Sequence, residues 1–532
     1  MDALAGINAR ATAQDTQADP RQVRNSAGGF TFEVTPEVRL RRFLVLGVDG
    51  GTYYAKAHEL AKENADVVMD FARNRTADLM REVVEISTSG RAPKQNPALF
   101  ALAAAASLGD EDGRRIALEA LPLVARTGTH LFLFARYIEQ FRGWGRGLRR
   151  AVGAWYTAKT VDDLAYQVVK YRQREGWSHR DLLRLSHPAT ADGDRARLFD
   201  WICGRGDSME GLRIVEGFQR AQAAPVAEVP ELVRAYRLSW EMLPDAALNE
   251  VAVWEALLDN GIPQTALLRQ LPRLTRLGLL SPLGARTETV AGQLADPARL
   301  RKARVHPVSV LVALRTYVSG RSARGESYWE PSRPIVDALD AAFYAAFDAV
   351  EPTGKRHLLA LDVSGSMTVG ISGLPITARE ASAALALVTA STESDYEIVG
   401  FTSGGSGNYR DSALTPLPIG PRQRLDDVLL RISSLPFGGT DCALPMLYAL
   451  ERKLEVDVFT VYTDSETWAG AIHPHQALRQ YRERINPEAK LVVVGMTATD
   501  FTIANPSDAG MLDVAGFDAA VPGLLADFAR RV

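Results

Sequence analysis

From about Asn96 to about Val350 the spacing of apolar residues hardly changes, and this constrains the fold more than any single motif. In PALFALAAAASL, GRRIALEALPLVA, THLFLFARYIEQF, VDDLAYQVVKYRQ and PVSVLVALRTYV they recur at three and four positions, which marks helices with one face to cover. The breaks, such as SLGDEDG, RTGTH and RGWGRG, are short, as suits antiparallel neighbours. Helix pairs of this kind bury a continuous core only by stacking, so a HEAT-like α-helical solenoid is expected, with a compact bundle as the alternative. Beyond SGRSARGESYWEPSRP and one more helix, PIVDALDAAFYAAFDAVE, the pattern changes. LLALDV, YEIVGF, VDVFTVYTD and KLVVVGM read as strands that alternate with helices in PITAREASAALALVTAS, RLDDVLLRIS, DCALPMLYALERK and HPHQALRQYRERI. That alternation predicts βαβ units and a mostly parallel, doubly wound, Rossmann-like sheet. We therefore expect a flexible arm over 1–28, a helical unit over 29–354 and an α/β unit over 355–532.

Charge is divided in the same way. The chain carries a net −3, which argues against a generic nucleic-acid binder, but the part from Lys355 onward is net −6 and the part before it net +3. Arg136 to His187 holds 11 basic and 5 acidic residues, and Gly261 to Gly325 holds 11 and 2. Local excesses of this kind are what a phosphate footprint looks like, although solvated helix faces also carry them. Cys203 and Cys442 allow at most one bridge and no metal-ligand spacing, which suits a reducing, cytoplasmic setting. The polar N-terminus has no apolar targeting segment, and no apolar run is long enough to span a membrane.

The chemistry-bearing residues cluster in the second unit. HLLALDVSGSM places Asp362, Ser364 and Ser366 after a buried strand, PFGGTDCALPM places Thr440 on a glycine-rich loop, and VFTVYTDSETW places Asp464 at the end of another strand. Three loops on the carboxyl edge of one sheet would bring five oxygen donors together at the usual ligand position of such folds. Oxygen-only donors suit a hard divalent cation, Mg²⁺ first, with Mn²⁺ or Ca²⁺ as alternatives. LALDVSGSM, GGTD and VYTD are similar to the metal-ion-dependent adhesion site of von Willebrand factor A domains. The resemblance implies that a partner's carboxylate completes the coordination. A haloacid-dehalogenase-type phosphatase would need an aspartate where Ser364 stands, so hydrolysis is not expected.

RFLVLGVDGGTYYAKAHEL offers a rival reading, as a strand ending in the phosphate loop of a sugar kinase, with Asp49, Gly50, Gly51 and Thr52 facing a nucleotide. Such kinases need α/β halves on both sides of a cleft, whereas the chain after Tyr54 turns helical. A tight turn is the better expectation there.

Taken together, FLVLGVDGGTYY, the helical repeats, VVKYRQREGWSHRDLLRLSHP, KARVHPVSVLVALRTYVSGR and the A-type domain resemble the Ro autoantigen family over almost the entire chain, and the sequence reads as a bacterial orthologue. The resemblance implies a helical TROVE module closed into a ring and joined by the A domain. It further implies a noncatalytic RNA-binding protein of RNA quality control that holds a small noncoding Y RNA on the outer face. Single-stranded 3′ ends of misfolded or structured RNAs would enter the central hole, with an exoribonuclease as partner. Lys170, Arg174 and His187 match family positions that contact Y RNA; Lys170 and Arg174, four apart, are expected on one helix face. Arg172, Arg180 and Arg184 are added from charge alone, Arg301, Lys302 and Arg304 are expected near the hole, and Trp177 is expected as a core anchor. The alternative is a metal-dependent protein-adhesion module for which the helices are scaffold.

Overall fold

The computed structural model describes residues 10–47, 65–141, 143–208, 210–322, 327–347, 351–370, 376–403, 413–420, 423–433, 438–497 and 499–530. The helical unit and the α/β unit are both present. In the first, Asn96–Leu108 packs between Glu111–Val124 and Gly128–Ile138 and is buried at every position from Pro97 to Ala106, as a helix enclosed on all sides must be. Other helices of this unit are amphipathic and capped by short polar side chains: Asp110 accepts from the Gly113 amide, and Ser178 and Asp181 form a reciprocal capping box. Such caps contribute about 1 kcal/mol each.

The solenoid returns upon itself. Nε2 of His306 donates to the carbonyl of Arg91 at 2.8 Å, and Nδ1 of the same ring accepts from the Val308 amide at 3.1 Å. The last repeats thus meet the first, closing the ring. The imidazole is neutral in this arrangement, and burial pushes its pKa down to about 4, as it does for His130. In the unfolded chain a histidine titrates near 6.5, so below that value the unfolded state takes up protons that the ring refuses. Stability should be fully present above about pH 6.5 and fall by roughly 1.4 kcal/mol per pH unit per histidine down to about pH 4. Urea titrations between pH 7 and pH 4.5 should show this decline. His306→Gln should be less stable at pH 7 yet decline less steeply.

The α/β sheet runs in the order Met511–Ala515, Lys490–Gly495, Val458–Thr463, His357–Asp362, Tyr396–Phe401, Leu414–Pro416. All neighbours are parallel except the last pair. The chain leaves the central strand His357–Asp362 toward Tyr396–Phe401 and later returns on its other side with Val458–Thr463. The carboxyl ends of these strands form the switch-point crevice where such sheets bind ligands.

Two expectations change. Arg42–Leu46 does not form a strand: it lies in the helix Pro36–Leu46, capped by Thr35, opened by Pro36 and stopped by Gly47 at φ 85. The DGGT residues after it lie outside the described residues. The arm expected to be flexible is docked over residues 10–28. Strand Gln22–Arg24 pairs with Phe30–Glu33, which pairs with Phe501–Thr502. The buried Gln14 amide donates to Asp441 at 2.7 Å and to the Ile472 carbonyl at 2.8 Å, and Asn25 donates to the Thr467 carbonyl at 2.8 Å. The segment before Val34 therefore belongs with the α/β unit, and the helical unit begins at Pro36. Cys203 and Cys442 are both free and buried.

The ring is tied to the sheet at both of its ends. Near the start, Arg42, 1% exposed, forks onto both oxygens of Asp513 at 2.9 and 2.8 Å and reaches the Phe501 carbonyl at 2.9 Å. Near its end, Arg315 pairs with Glu380 at 2.8 Å and Asp340 accepts from the Leu425 amide at 2.8 Å.

Candidate metal centre and nucleic-acid interface

The structure brings the five oxygen-bearing residues to one place. Asp362, Ser364, Ser366, Thr440 and Asp464 are each 1% exposed or less. Oδ1 of Asp362 accepts from the Ser364 amide at 2.9 Å, its Oδ2 accepts from the Thr463 hydroxyl at 2.6 Å, and the Ser364 and Ser366 hydroxyls lie 3.1 Å apart. Burial raises the pKa of both carboxyls, and for Asp464 the Asp362 charge adds to it while a hydrogen bond from Ser366 opposes it. Oγ1 of Thr440 and Oδ2 of Asp464 are buried without a hydrogen-bond partner. Two close carboxyls among hydroxyls with unanswered lone pairs are a donor set to which a hard cation fits. Arg379, reaching the carbonyls of Val363 and Ser364, holds the first loop from below. Among the described residues no group of three or more His, Cys, Asp or Glu side chains could hold a metal; the hydroxyls are essential to this set.

A cavity of about 1420 Å³ is enclosed by the ring, lined by residues from Gly90 through Ser309. Among the described residues its charged lining is Arg126, Lys170, Arg172, Arg174, Arg180, Arg269 and Arg304 against the single acid Glu241. Arg304, one of the three residues expected near the hole, is among this lining. Arg301 and Lys302 are exposed outside this lining, as are Arg184 and His187, the latter capping the helix His179–Ser186 at φ 46.

Lys170 and Arg174 share the cavity but not a helix face. The helix Val161–Lys170 ends at Lys170, and Gln173–Arg174 pairs with Trp177–Ser178 across a two-residue turn, Glu175 and Gly176, both at positive φ. Two left-handed residues between paired strands are the geometry of a tight hairpin, which re-aims Arg174. Lys170, with its side chain 8% exposed, lies 3.5 Å from Glu241 and over the rings of Tyr166 and Tyr171. Arg172 stacks over Phe218 at 5.2 Å. Trp177 is half-buried and packs on Trp144 with ring centroids 5.4 Å apart, an anchor as expected. Arg126 and Arg269 were missed because repeat periodicity shows that a helix has an outer and an inner face without showing which way the ring curves.

Comparison with known proteins agrees in both halves. A family model described as the Ro60 vWA domain matches residues 356–529, and a TROVE domain model matches residues 23–205 and 235–317. The chain is 43% identical to the RNA-binding protein RO60 of Deinococcus radiodurans over 99% of both chains, and 36% identical to the RNA-binding protein RO60 of Caenorhabditis elegans over 95% of this chain and 90% of that one. It superposes on the crystal structure of the Deinococcus radiodurans RO (RSR) protein with a TM-score of 0.70 at 42% identity, covering 93% of this chain and 99% of the other.

Proposed function

Because the chain belongs to the Ro60 family, we propose that it is a noncatalytic RNA-binding protein whose ring cavity takes an unpaired RNA strand. The observation that carries this reading is the charge of the cavity wall, seven cationic side chains against one acid among the described residues. Such a lining attracts a phosphodiester backbone with little regard to base identity. Tyr171 and Trp240 on the same wall offer rings on which unpaired bases can stack. A small noncoding Y RNA would use the outer surface, where Arg184 and His187 are exposed, and an exoribonuclease would act on the RNA presented. Filter binding across a salt series tests the reading. Affinity for a single-stranded oligoribonucleotide should fall linearly in a log–log plot with a slope set by the phosphates neutralised. Metal-dependent protein capture with no salt-steep RNA binding would favour the adhesion module instead.

In this proposal Asp362, Ser364, Ser366, Thr440 and Asp464 hold a divalent cation, Mg²⁺ before Mn²⁺ or Ca²⁺, which would neutralise the two carboxylates and offer a position to a partner's carboxylate. Thermal melts provide the check. Mg²⁺ should raise the melting temperature of the wild-type protein by mass action, and Asp362→Ala should abolish the rise while leaving RNA affinity intact. In EDTA, Asp464→Asn should melt no lower than wild type, because it removes the repulsion between two buried carboxylates.

A further inference from the structure

Two arginines far apart in the helical chain are packed onto one helix end. Arg126 donates to the carbonyl and hydroxyl of Ser87 at 3.0 and 2.9 Å, near the end of the helix Thr76–Ser89. Arg304 crosses that helix at its cap: a β-carbon on Gly90 would stand 3.3 Å from the β-carbon of Arg304. Both side chains line the cavity, beside the His306–Arg91 closure of the ring. The partial negative charge of a helix C-terminus accounts for one cation there. It does not account for two like charges brought to the same helix end. Burial, and after it the Arg304 charge, keep the Arg126 pKa below the ordinary arginine value.

Among the described residues neither arginine is paired with a carboxylate, and the Arg304 guanidinium makes no hydrogen bond at all. Its backbone nonetheless sits at φ 48, a left-handed conformation unfavourable to a residue with a β-carbon. His130 lines the same cavity and adds an independent sign of a missing ligand, because its Nδ1 is buried without a partner. In one tautomer that nitrogen donates to an anion.

We propose that Arg126, Arg304 and His130 form a subsite for one phosphate of an RNA strand at the place where the ring closes. The proposal rests on the RNA reading of the cavity. A tetrahedral phosphate can share its oxygens between two guanidinium forks and an imidazole N–H, and it would bridge the turn before Gly128–Ile138 to the turn before Pro307–Val318.

The test uses the full-length protein and a labelled unstructured oligoribonucleotide, with Arg126→Gln, Arg304→Gly and the double variant. Glycine tolerates φ 48, so Arg304→Gly should melt no lower than wild type. Each single variant should bind about threefold to tenfold more weakly and lose about 0.7 from the salt slope. The double variant should lose less than the product of the two, since one phosphate is shared. Unchanged affinity and slope in both single variants, with Arg174→Gln still weakened, would overturn the subsite and leave the cavity reading standing. No loss in Arg174→Gln either would overturn the cavity reading itself. Inorganic phosphate that raises the melting temperature of wild type but not of the double variant, with oligoribonucleotide binding equal in all, would assign the pair to a free anion and overturn the RNA assignment.

Discussion

Replacing Arg172, Arg174 and Arg180 together by glutamine should weaken binding of an unstructured oligoribonucleotide by about two orders of magnitude and flatten its salt slope by about 2. Arg172 just before the hairpin Gln173–Ser178, Arg174 within it and Arg180 in the helix beginning at His179 line the cavity and are exposed. None is paired with a carboxylate among the described residues, so each is available to a phosphate without first breaking an ion pair. The fold should be nearly indifferent, because exposed side chains without an ion pair contribute little to stability, and the stacking of Arg172 over Phe218 adds at most about 1 kcal/mol. Binding of a duplex without a single-stranded tail should change far less, since its width keeps it from the cavity.

The second large effect concerns the joint between ring and sheet. Asp513→Ala should destabilise the protein by about 3–5 kcal/mol, because it strands a buried guanidinium. Arg42 lies in the helix Pro36–Leu46, and Asp513 on the edge strand Met511–Ala515 is its only carboxylate partner among the described residues. Its Nη1 reaches backbone carbonyls of Thr499 and Phe501, which orient the charge without neutralising it, while its Nε is buried without a partner. The double replacement Arg42→Met with Asp513→Leu should cost much less than Asp513→Ala, since removing both partners leaves no orphaned charge. Urea denaturation of the three proteins measures this directly, and a double variant as unstable as Asp513→Ala would show that packing, not charge, sets the loss.

The legibility of the chain follows from what each element uses to hold itself. Asp362, Ser364, Ser366, Thr440 and Asp464 could be placed from sequence because buried parallel strands have an unmistakable apolar run and their carboxyl ends fall on one edge. The strand of the rival kinase reading fails for a related reason: FLVL in the helix Pro36–Leu46 is also a short apolar run before a glycine, and periodicity cannot tell a buried strand from one turn of a buried helix. Thr35, Pro36 and Gly47 carried the correcting signal, an N-cap, an N1 proline and a left-handed stop. Hydropathy gives the arm over 10–28 as flexible because it does not register the side-chain amide bonds of Gln14, Gln22 and Asn25 that hold it to the α/β unit. The four-residue spacing of Lys170 and Arg174 suggests a shared helix face; Gly176, in the two-residue turn with Glu175, is the sign of the hairpin that separates them. The inward orientation of Arg126 and Arg269 depends on the curvature of the whole ring, which no local pattern encodes.

The account stands on an unpaired RNA strand lying inside the ring. A photo-crosslinkable oligoribonucleotide bound to the full-length protein, followed by mass spectrometry of the attached peptides, examines that most directly. Crosslinks should fall on Tyr171–Arg180, on the segment around Trp240 and on Ala303–Ser309, and should be competed by single-stranded RNA. Crosslinks confined to the outer surface around Arg184 and His187, or to the α/β unit, would contradict it.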